Sequence, residues 1–383
     1  AGLKSSFTPN LGGDAKIDQN TFLLEPVSAE NLVNNRNSRN FWCNVKGIGS
    51  WSLTGHSAEE LSKKFTEMQD DSEVTAGFMW QKTTRESKKY QLRGEILSFI
   101  PVDKNVEIML VTITNTGRMA QTVTPTAAIP LYGRSADNIR DHRHVTSLLH
   151  RIETTDTGVL VTPTLSFDER GHQVNHMTYY CVGWSGNGEK PVDFYPTAED
   201  FVGEGGNFER PYAIVKNAEG VKAGTKIEGL EAVGGLHFSE ITLEPEEECS
   251  YLIFTGITED IQEIRNLSKT YTTREKVLEE LEKTKAYWQE KVNVAYHTGD
   301  SDFNQFMHWV SFQPILRRIY GCSFLPHHDY GKGGRGWRDL WQDCLALLIM
   351  NPDGVRQMLL DNFAGVRIDG SNATIIGSKQ GEF

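Results

Sequence analysis

Val106-Glu107-Ile108-Met109-Leu110-Val111-Thr112-Ile113-Thr114 sits between two turn-forming triplets, Asp103-Lys104-Asn105 and Asn115-Thr116-Gly117. The run is rich in β-branched residues and almost unbroken in apolar content. That pattern predicts a strand buried on both faces, as in the core of a sandwich. Working outward, similar runs span Val123 to Leu131, Gly158 to Leu165, Thr178 to Trp184 and Tyr251 to Gly256. Clusters of Gly, Asn and Asp separate them, and no helical pattern of useful length intervenes. Many strands with turn punctuation and no strand–helix alternation predict antiparallel sheets. Residues 1–258 are read as one large β-sandwich domain.

The texture changes after Thr258. Val277, Leu278, Leu281, Lys285 and Trp288 recur at helical spacing among Glu, Lys and Arg, so 259–298 reads as a helical linker. A helix opening at Asp300 or Ser301 would carry Phe303, Phe306, Met307, Val310 and Ile315 on one side. Pro314 is expected to kink or break it. A Gly-rich loop runs from Leu325 to Gly336. Arg338 to Met350 then reads as a largely apolar helix stopped by Asn351-Pro352, and Pro352-Asp353-Gly354 opens another through Phe363. The fold class is therefore multidomain, β then α, with 299–383 as the first part of an all-α module. The chain stops at Gly381-Glu382-Phe383 without capping or tail composition, which marks it as an expected fragment of a longer protein.

The 383 residues (43.1 kDa) are 38% hydrophobic and 23% charged, which excludes wholesale disorder. A net charge of -12 and a pI near 5.5 argue against a nucleic-acid partner, which needs a dominant basic face. No apolar run reaches transmembrane length, so no membrane span is expected. Cys43, Cys181, Cys249, Cys322 and Cys344 show no CxxC spacing, so neither a zinc knuckle nor a redox motif is encoded. Cys344 reads as a buried thiol in an apolar helix, and reduced thiols fit a cytoplasmic protein.

Chemistry concentrates between His327 and Asp343. The stretch combines His327 and His328 with cations at Lys332, Arg335 and Arg338, carboxylates at Asp329, Asp339 and Asp343, and aromatics at Tyr330, Trp337 and Trp341. Glycines between them let the backbone approach a ligand closely. There is no GxxxxGK[ST], and the stretch follows a helix, so phosphate-loop and dinucleotide readings fail. Asp339 and Asp343 are four residues apart and share one helix face. With Arg335 or Arg338 nearby, the pair suits a polyhydroxyl ligand. Carboxylates accept from sugar hydroxyls, a guanidinium donates as a fork, and Trp337 or Trp341 stacks on a ring face. The plain alternative is structural: Asp339 favours the helix dipole, Arg338 makes an ordinary ion pair and the tryptophans fill core. A metal site from His327, His328 and Asp329 is disfavoured, because adjacent side chains point apart. A second polar cluster comprises Arg134, Arg140, Asp141, His142, Arg143 and His144. It is either a contact surface for substrate or a neighbouring domain, or a solvated loop with internal salt bridges.

Phe306-Met307-His308-Trp309-Val310-Ser311-Phe312-Gln313 with Arg317-Arg318 resembles the barrel-opening helix of glycoside hydrolase family 94, the inverting β-glucoside phosphorylases. Gly334-Arg335-Gly336-Trp337-Arg338-Asp339-Leu340-Trp341-Gln342-Asp343 resembles that family's GRG…FRD..QD sugar-site motif. Asn37-Ser38-Arg39-Asn40-Phe41, Trp51-Ser52 and Gly133-Arg134-Ser135-Ala136-Asp137-Asn138 are also similar. Within the family, the stretch from Asp141 to Leu149 and the pair Leu340-Trp341 look most like the 1,2-β-oligoglucan phosphorylases. The resemblance implies a β-sandwich, a helical linker and an (α/α)6 barrel of which 299–383 is the truncated N-terminal part. It implies phosphorolysis of β-linked glucooligosaccharides, β-1,2-glucan above all, giving α-glucose 1-phosphate, with inorganic phosphate as co-substrate and no cofactor.

The same resemblance places Arg335 and Asp339 on the glucosyl unit at subsite -1, with Trp337, Arg338, Gln342 and Asp343 shaping the site. Two residues found between GRG and FRD in cellobiose-type relatives are missing here. The phosphate-binding arginine of some relatives has no counterpart near Ser323-Phe324, so His327, His328 or Lys332 is expected to take its place. The general-acid Asp is expected beyond Phe383, and no catalytic acid is assigned within the chain. Expected partners are the glucooligosaccharide, phosphate and the remainder of the same polypeptide, with a homodimer left open. The rivals are a non-catalytic carbohydrate-binding or scaffold sandwich, and a hydrolase of the same barrel type.

Overall fold

Strand Val106–Asn115 lies inside a nine-stranded antiparallel sheet in the computed structural model, which describes residues 2–27, 38–168, 171–320 and 335–376. All ten residues of the strand are buried. Met109, Val111 and Ile113 belong to the main core, while Val106, Ile108 and Leu110 belong to a second apolar cluster on the other face. Two covered faces are the reason the run shows no polar alternation. The sheet order is Lys226–Glu228, Arg151–Thr154, Gly158–Val161, Thr178–Ser185, Glu248–Thr258, Val106–Asn115, Leu92–Phe99, Trp80–Ser87 and Asp71–Gly77.

A six-stranded sheet shares the main core. Its order is Asp193–Thr197, Ala232–His237, Gln121–Leu131, Asn40–Val45 and Gly49–Ser52, with Ile241–Leu243 also on Gln121–Leu131. Phe41, Val123, Ile129 and Leu236 from this sheet meet Met109, Ile253 and Tyr251 from the larger one. The expected large antiparallel sandwich is thus present, within a compact unit Ala1–Glu282.

Three expectations change in this unit. Short helices, Ala58–Ser62, Arg143–Thr146, Ala198–Val202 and Tyr212–Lys216, punctuate the strands. At four or five residues each they are too short to show a helical period. The run from Gly158 to Leu165 is not one strand: it ends at Val161, and Leu165–Asp168 pairs instead with Gly171–Val174. Pro163, which has no N–H for a ladder, stands between the two pieces. Finally, the segment expected as a linker begins as a layer of the sandwich. Helices Ile261–Thr270 and Arg274–Glu290 set Ile264, Leu267, Val277 and Leu281 against Leu110, Leu252 and Phe254. Between them, the Tyr271 carbonyl accepts the indole N–H of Trp184 at 3.0 Å, and the Tyr271 hydroxyl accepts from Lys104 Nζ at 2.8 Å. The compact unit therefore runs to Glu282, past the change of texture at Thr258.

The second unit, Lys283–Phe383, is helical in most of its described part. Helix Ser301–Tyr320 opens where Asp300 Oδ1 accepts the N–H groups of Asp302 (2.9 Å) and Phe303 (3.1 Å). It runs through Pro314 without the expected break. Burial of Phe312 and Ile315 on either side offsets a cost of about 3 kcal/mol for an interior proline. Helices Trp337–Met350 and Val355–Phe363 follow, close to the boundaries read from sequence.

Candidate functional site

Gly336 precedes helix Trp337–Met350 and pairs with Ile375 in a two-residue ladder, while the Trp337 N–H donates to the Thr374 carbonyl at 3.0 Å. This hooks the helix start onto a return segment. Asp339 lies in the first helical turn, where the dipole favours a carboxylate. Its Oδ2 would lie 2.6 Å from a Cβ at position 336, so the carboxylate folds back over Gly336. Its side chain is 36% exposed. Arg338 is mostly solvent-facing and reaches Asp339 Oδ1 only at 3.5 Å, a weak pair.

The two aspartates share the helix face, as the spacing predicts, but have different surroundings. Asp343 is buried and accepts from Arg317 Nη1 of helix Ser301–Tyr320 at 2.8 Å. Asp339 remains accessible. Trp337 and Trp341 meet edge to face with centroids 5.6 Å apart, and Trp341 meets Phe363 at 4.7 Å. The indole N–H groups of both tryptophans are buried without an acceptor among the described residues. Asp339 thus offers an accessible carboxylate that suits hydroxyl groups, while the two indole donors sit on the face shared by positions 337 and 341, which position 339 does not share. Gln342 is exposed on the same helix. Arg335 sits in the ladder through its backbone, pairing with Ile376. His327, His328 and Lys332 lie outside the described residues, as do Asp329 and Cys322.

The second polar cluster, in the first unit, is more structural than its composition suggests. Arg143 bridges Glu25 and Glu231, and Asn138 Nδ2 donates to Asp141 Oδ2 at 2.9 Å. The His142 and His144 rings lie 5.6 Å apart in exposed positions. Arg134 is buried, with Nη1 4.0 Å from Glu231 Oε1. Sequence reasoning missed a larger buried pair. Arg39 Nε and Nη2 donate to Glu107 Oε1 and Oε2 at 2.5 and 3.0 Å, with neither side chain exposed. The available signal was the lone charge of Glu107 in an otherwise uncharged strand.

A cavity of about 730 Å³ also opens beside helix Ala198–Val202, lined by Glu199, Glu204, Asn207, Phe208, Glu209 and Glu231 among others. Among the described residues no group of three or more His, Cys, Asp or Glu could hold a metal ion. Burial pushes the Cys181 thiol well up and the Cys249 thiol up to about 12. Among those residues, no helix is long and apolar enough to cross a membrane.

Residues 24–274, about two thirds of the chain, match the family described as "Glycosyl hydrolase 94, supersandwich domain". The chain belongs to that family. Membership places it with carbohydrate-active proteins. The cyclic β-(1,2)-glucan synthase NdvB of Rhizobium meliloti (strain 1021) is 26% identical over 194 residues, covering 50% of this chain and 6% of that protein. Among solved structures, a bacterial glucoamylase complexed with acarbose superposes with a TM-score of 0.56 at 10% identity. That match covers 98% of this chain and 50% of the glucoamylase, and it shows a shared fold. The chain thus spans half or less of the length of these relatives.

Proposed function

We propose that the chain serves the inverting phosphorolysis of β-linked glucooligosaccharides, β-1,2-glucan above all, by inorganic phosphate to give α-glucose 1-phosphate. The observation that carries this reading is the family match over 24–274. The likeness to a protein named as a cyclic β-(1,2)-glucan synthase supports the linkage. In this reading Asp339 and Arg335 hold the glucosyl unit at subsite -1, and Trp337, Arg338 and Gln342 shape it. Asp343 acts through its bond to Arg317, fixing the helix that carries Asp339. His327, His328 or Lys332 binds phosphate. Residues 299–383 form the first part of an (α/α)6 barrel. Exposed Phe303, Phe306, Leu345 and Ile349 support this, because further helices would cover them.

The chemistry needs one general acid to protonate the glycosidic oxygen, while phosphate attacks the anomeric carbon from the opposite face. A hydrolase of this stereochemistry needs a second carboxylate to activate water. Phosphate is already an anion, so that base can be dispensed with, and cationic donors hold the phosphate instead. The test uses the longest natural polypeptide carrying these residues, with β-1,2-glucooligosaccharides. Glucose 1-phosphate should accumulate only when phosphate is present, and Asp339→Ala should abolish it. Glucose release without phosphate would instead establish the hydrolase.

The 730 Å³ cavity favours a second reading, a carbohydrate-binding sandwich, since its size and its Phe208 and carboxylate lining suit a sugar. Calorimetry of the 383-residue chain with the same oligosaccharides separates the two. Affinity lost on Phe208→Ala but kept in Asp339→Ala favours the sandwich.

A further inference from the structure

Arg134 and His150 are buried side by side with polar atoms that no atom of the described residues satisfies. Arg134 is 6% exposed and His150 is fully buried. Beyond the 4.0 Å approach of Nη1 to Glu231, Arg134 Nε and Nη2 have no hydrogen-bond partner among the described residues, and neither has His150 Nε2. The Tyr132 carbonyl acts on the imidazole but does not meet hydrogen-bond geometry with Nε2. His150 Nδ1 lies 3.2 Å from the Leu230 carbonyl. A carbonyl can only accept, and of the two carbonyls the Leu230 one meets hydrogen-bond geometry, which assigns the proton to Nδ1. Burial, aided by the Arg134 charge, holds the ring's pKa down at about 3, and the imidazole is neutral. Nε2 therefore presents a lone pair.

Both residues line a cavity of about 10 Å³ shared with Gly133, Asn138, Thr146 and Ser166. A Cβ at Gly133 would lie 3.4 Å from Nε2, which puts that nitrogen on the cavity wall. We propose that this cavity is the binding site of a single internal water, which accepts from the Arg134 guanidinium and donates to His150 Nε2. The volume admits about one water and excludes phosphate or a sugar. A halide would suit the guanidinium but would face the lone pair of Nε2. A ligand that accepts on one wall and donates on the other matches both. Without it, a buried cation and a buried acceptor would each bear a desolvation penalty.

The water has a mechanical role. The Arg134 carbonyl accepts the Phe22 N–H at 3.0 Å, so its backbone is tied to strand Thr21–Leu24. His150 immediately precedes strand Arg151–Thr154. The bridge ties together the two ends of the segment between them, which includes helix Arg143–Thr146 and carries Asp141, His142, Arg143 and His144. Arg134 and His150 are thus positioning residues for that polar loop.

The test is a crystal structure of the 383-residue chain soaked in sodium bromide. One water-sized peak is expected within about 3 Å of both Arg134 and His150 Nε2, without anomalous bromide signal. An empty cavity, or bromide in it, overturns the proposal. In solution, urea midpoints of Arg134→Met, His150→Phe and the double variant give an independent reading. A shared water means that the double variant falls no further than the worse single one, whereas additive losses overturn it.

Discussion

Replacing Glu107 by Gln leaves the shape of the core intact and removes one charge from its centre. Arg39 and Glu107 are both 0% exposed and meet through two bonds of 2.5 and 3.0 Å. Arg39 Nη1 also donates to the Gly13 carbonyl at 3.0 Å, its guanidinium lies 4.6 Å from the Phe7 ring centre, and Ser5 Oγ donates to Glu107 Oε2 at 2.5 Å. These contacts tie the N-terminal strands to Val106–Asn115. At a separation of about 3 Å and an effective dielectric near 20, the Coulomb attraction is about 5 kcal/mol. Breaking a buried pair by removing one partner typically costs about 3–5 kcal/mol. Glu107→Gln should therefore lower the urea midpoint by about 1–1.7 M, taking a slope of about 3 kcal/mol/M. Arg39→Met with Glu107→Leu should recover most of the loss, since no charge is then stranded. Tryptophan fluorescence during urea unfolding measures both variants. A loss below about 1 kcal/mol for Glu107→Gln at unchanged slope would refute the claim that this pair stabilises the core.

Burial, with help from neighbouring Arg85, lowers the His56 pKa to about 4, and burial with Arg134 lowers that of His150 to about 3. Both histidines charge in the unfolded chain near pH 6.5 but not in the folded one, so stability should fall as pH drops below about 6.5. The slope approaches about 1.4 kcal/mol per pH unit per histidine; a flat urea midpoint between pH 7.5 and 5 contradicts this. Asp343→Asn should destabilise the helical unit by about 1–2 kcal/mol through loss of the Arg317 bond, while Asp339→Ala should leave its melting unchanged yet abolish glucan turnover. Equal thermal losses in the two variants would show that Asp339 is structural. Gly158→Ala should disrupt pairing with strand Thr178–Ser185, because its Cβ would lie 2.1 Å from the Cys181 carbonyl oxygen. Soluble chain with wild-type stability would contradict that geometry.

The sandwich was legible because its central strands are covered on both faces, and continuous apolar runs such as Val106–Asn115 leave little other choice. What escaped reading depends on distant partners. Nothing near Glu107 in sequence announces Arg39, 68 residues away. Helix Ile261–Thr270 looks like a solvated linker, since Ile264 and Leu267 are few among many polar residues and their partner strand is Glu248–Thr258 together with Val106–Asn115. In the candidate site, helix Trp337–Met350 was recovered to within one residue at its start. The different surroundings of Asp339 and Asp343 were not, because Arg317 on another helix makes the distinction.

The packing of Leu267, Tyr271 and Val277 onto the larger sheet sets a limit on dissection. A gene truncated at codon 258 would yield a sandwich whose Ile108, Leu110 and Phe254 side lies bare, inviting aggregation. The smallest excisable piece carries its two helices as a built-in cover and ends near Glu282.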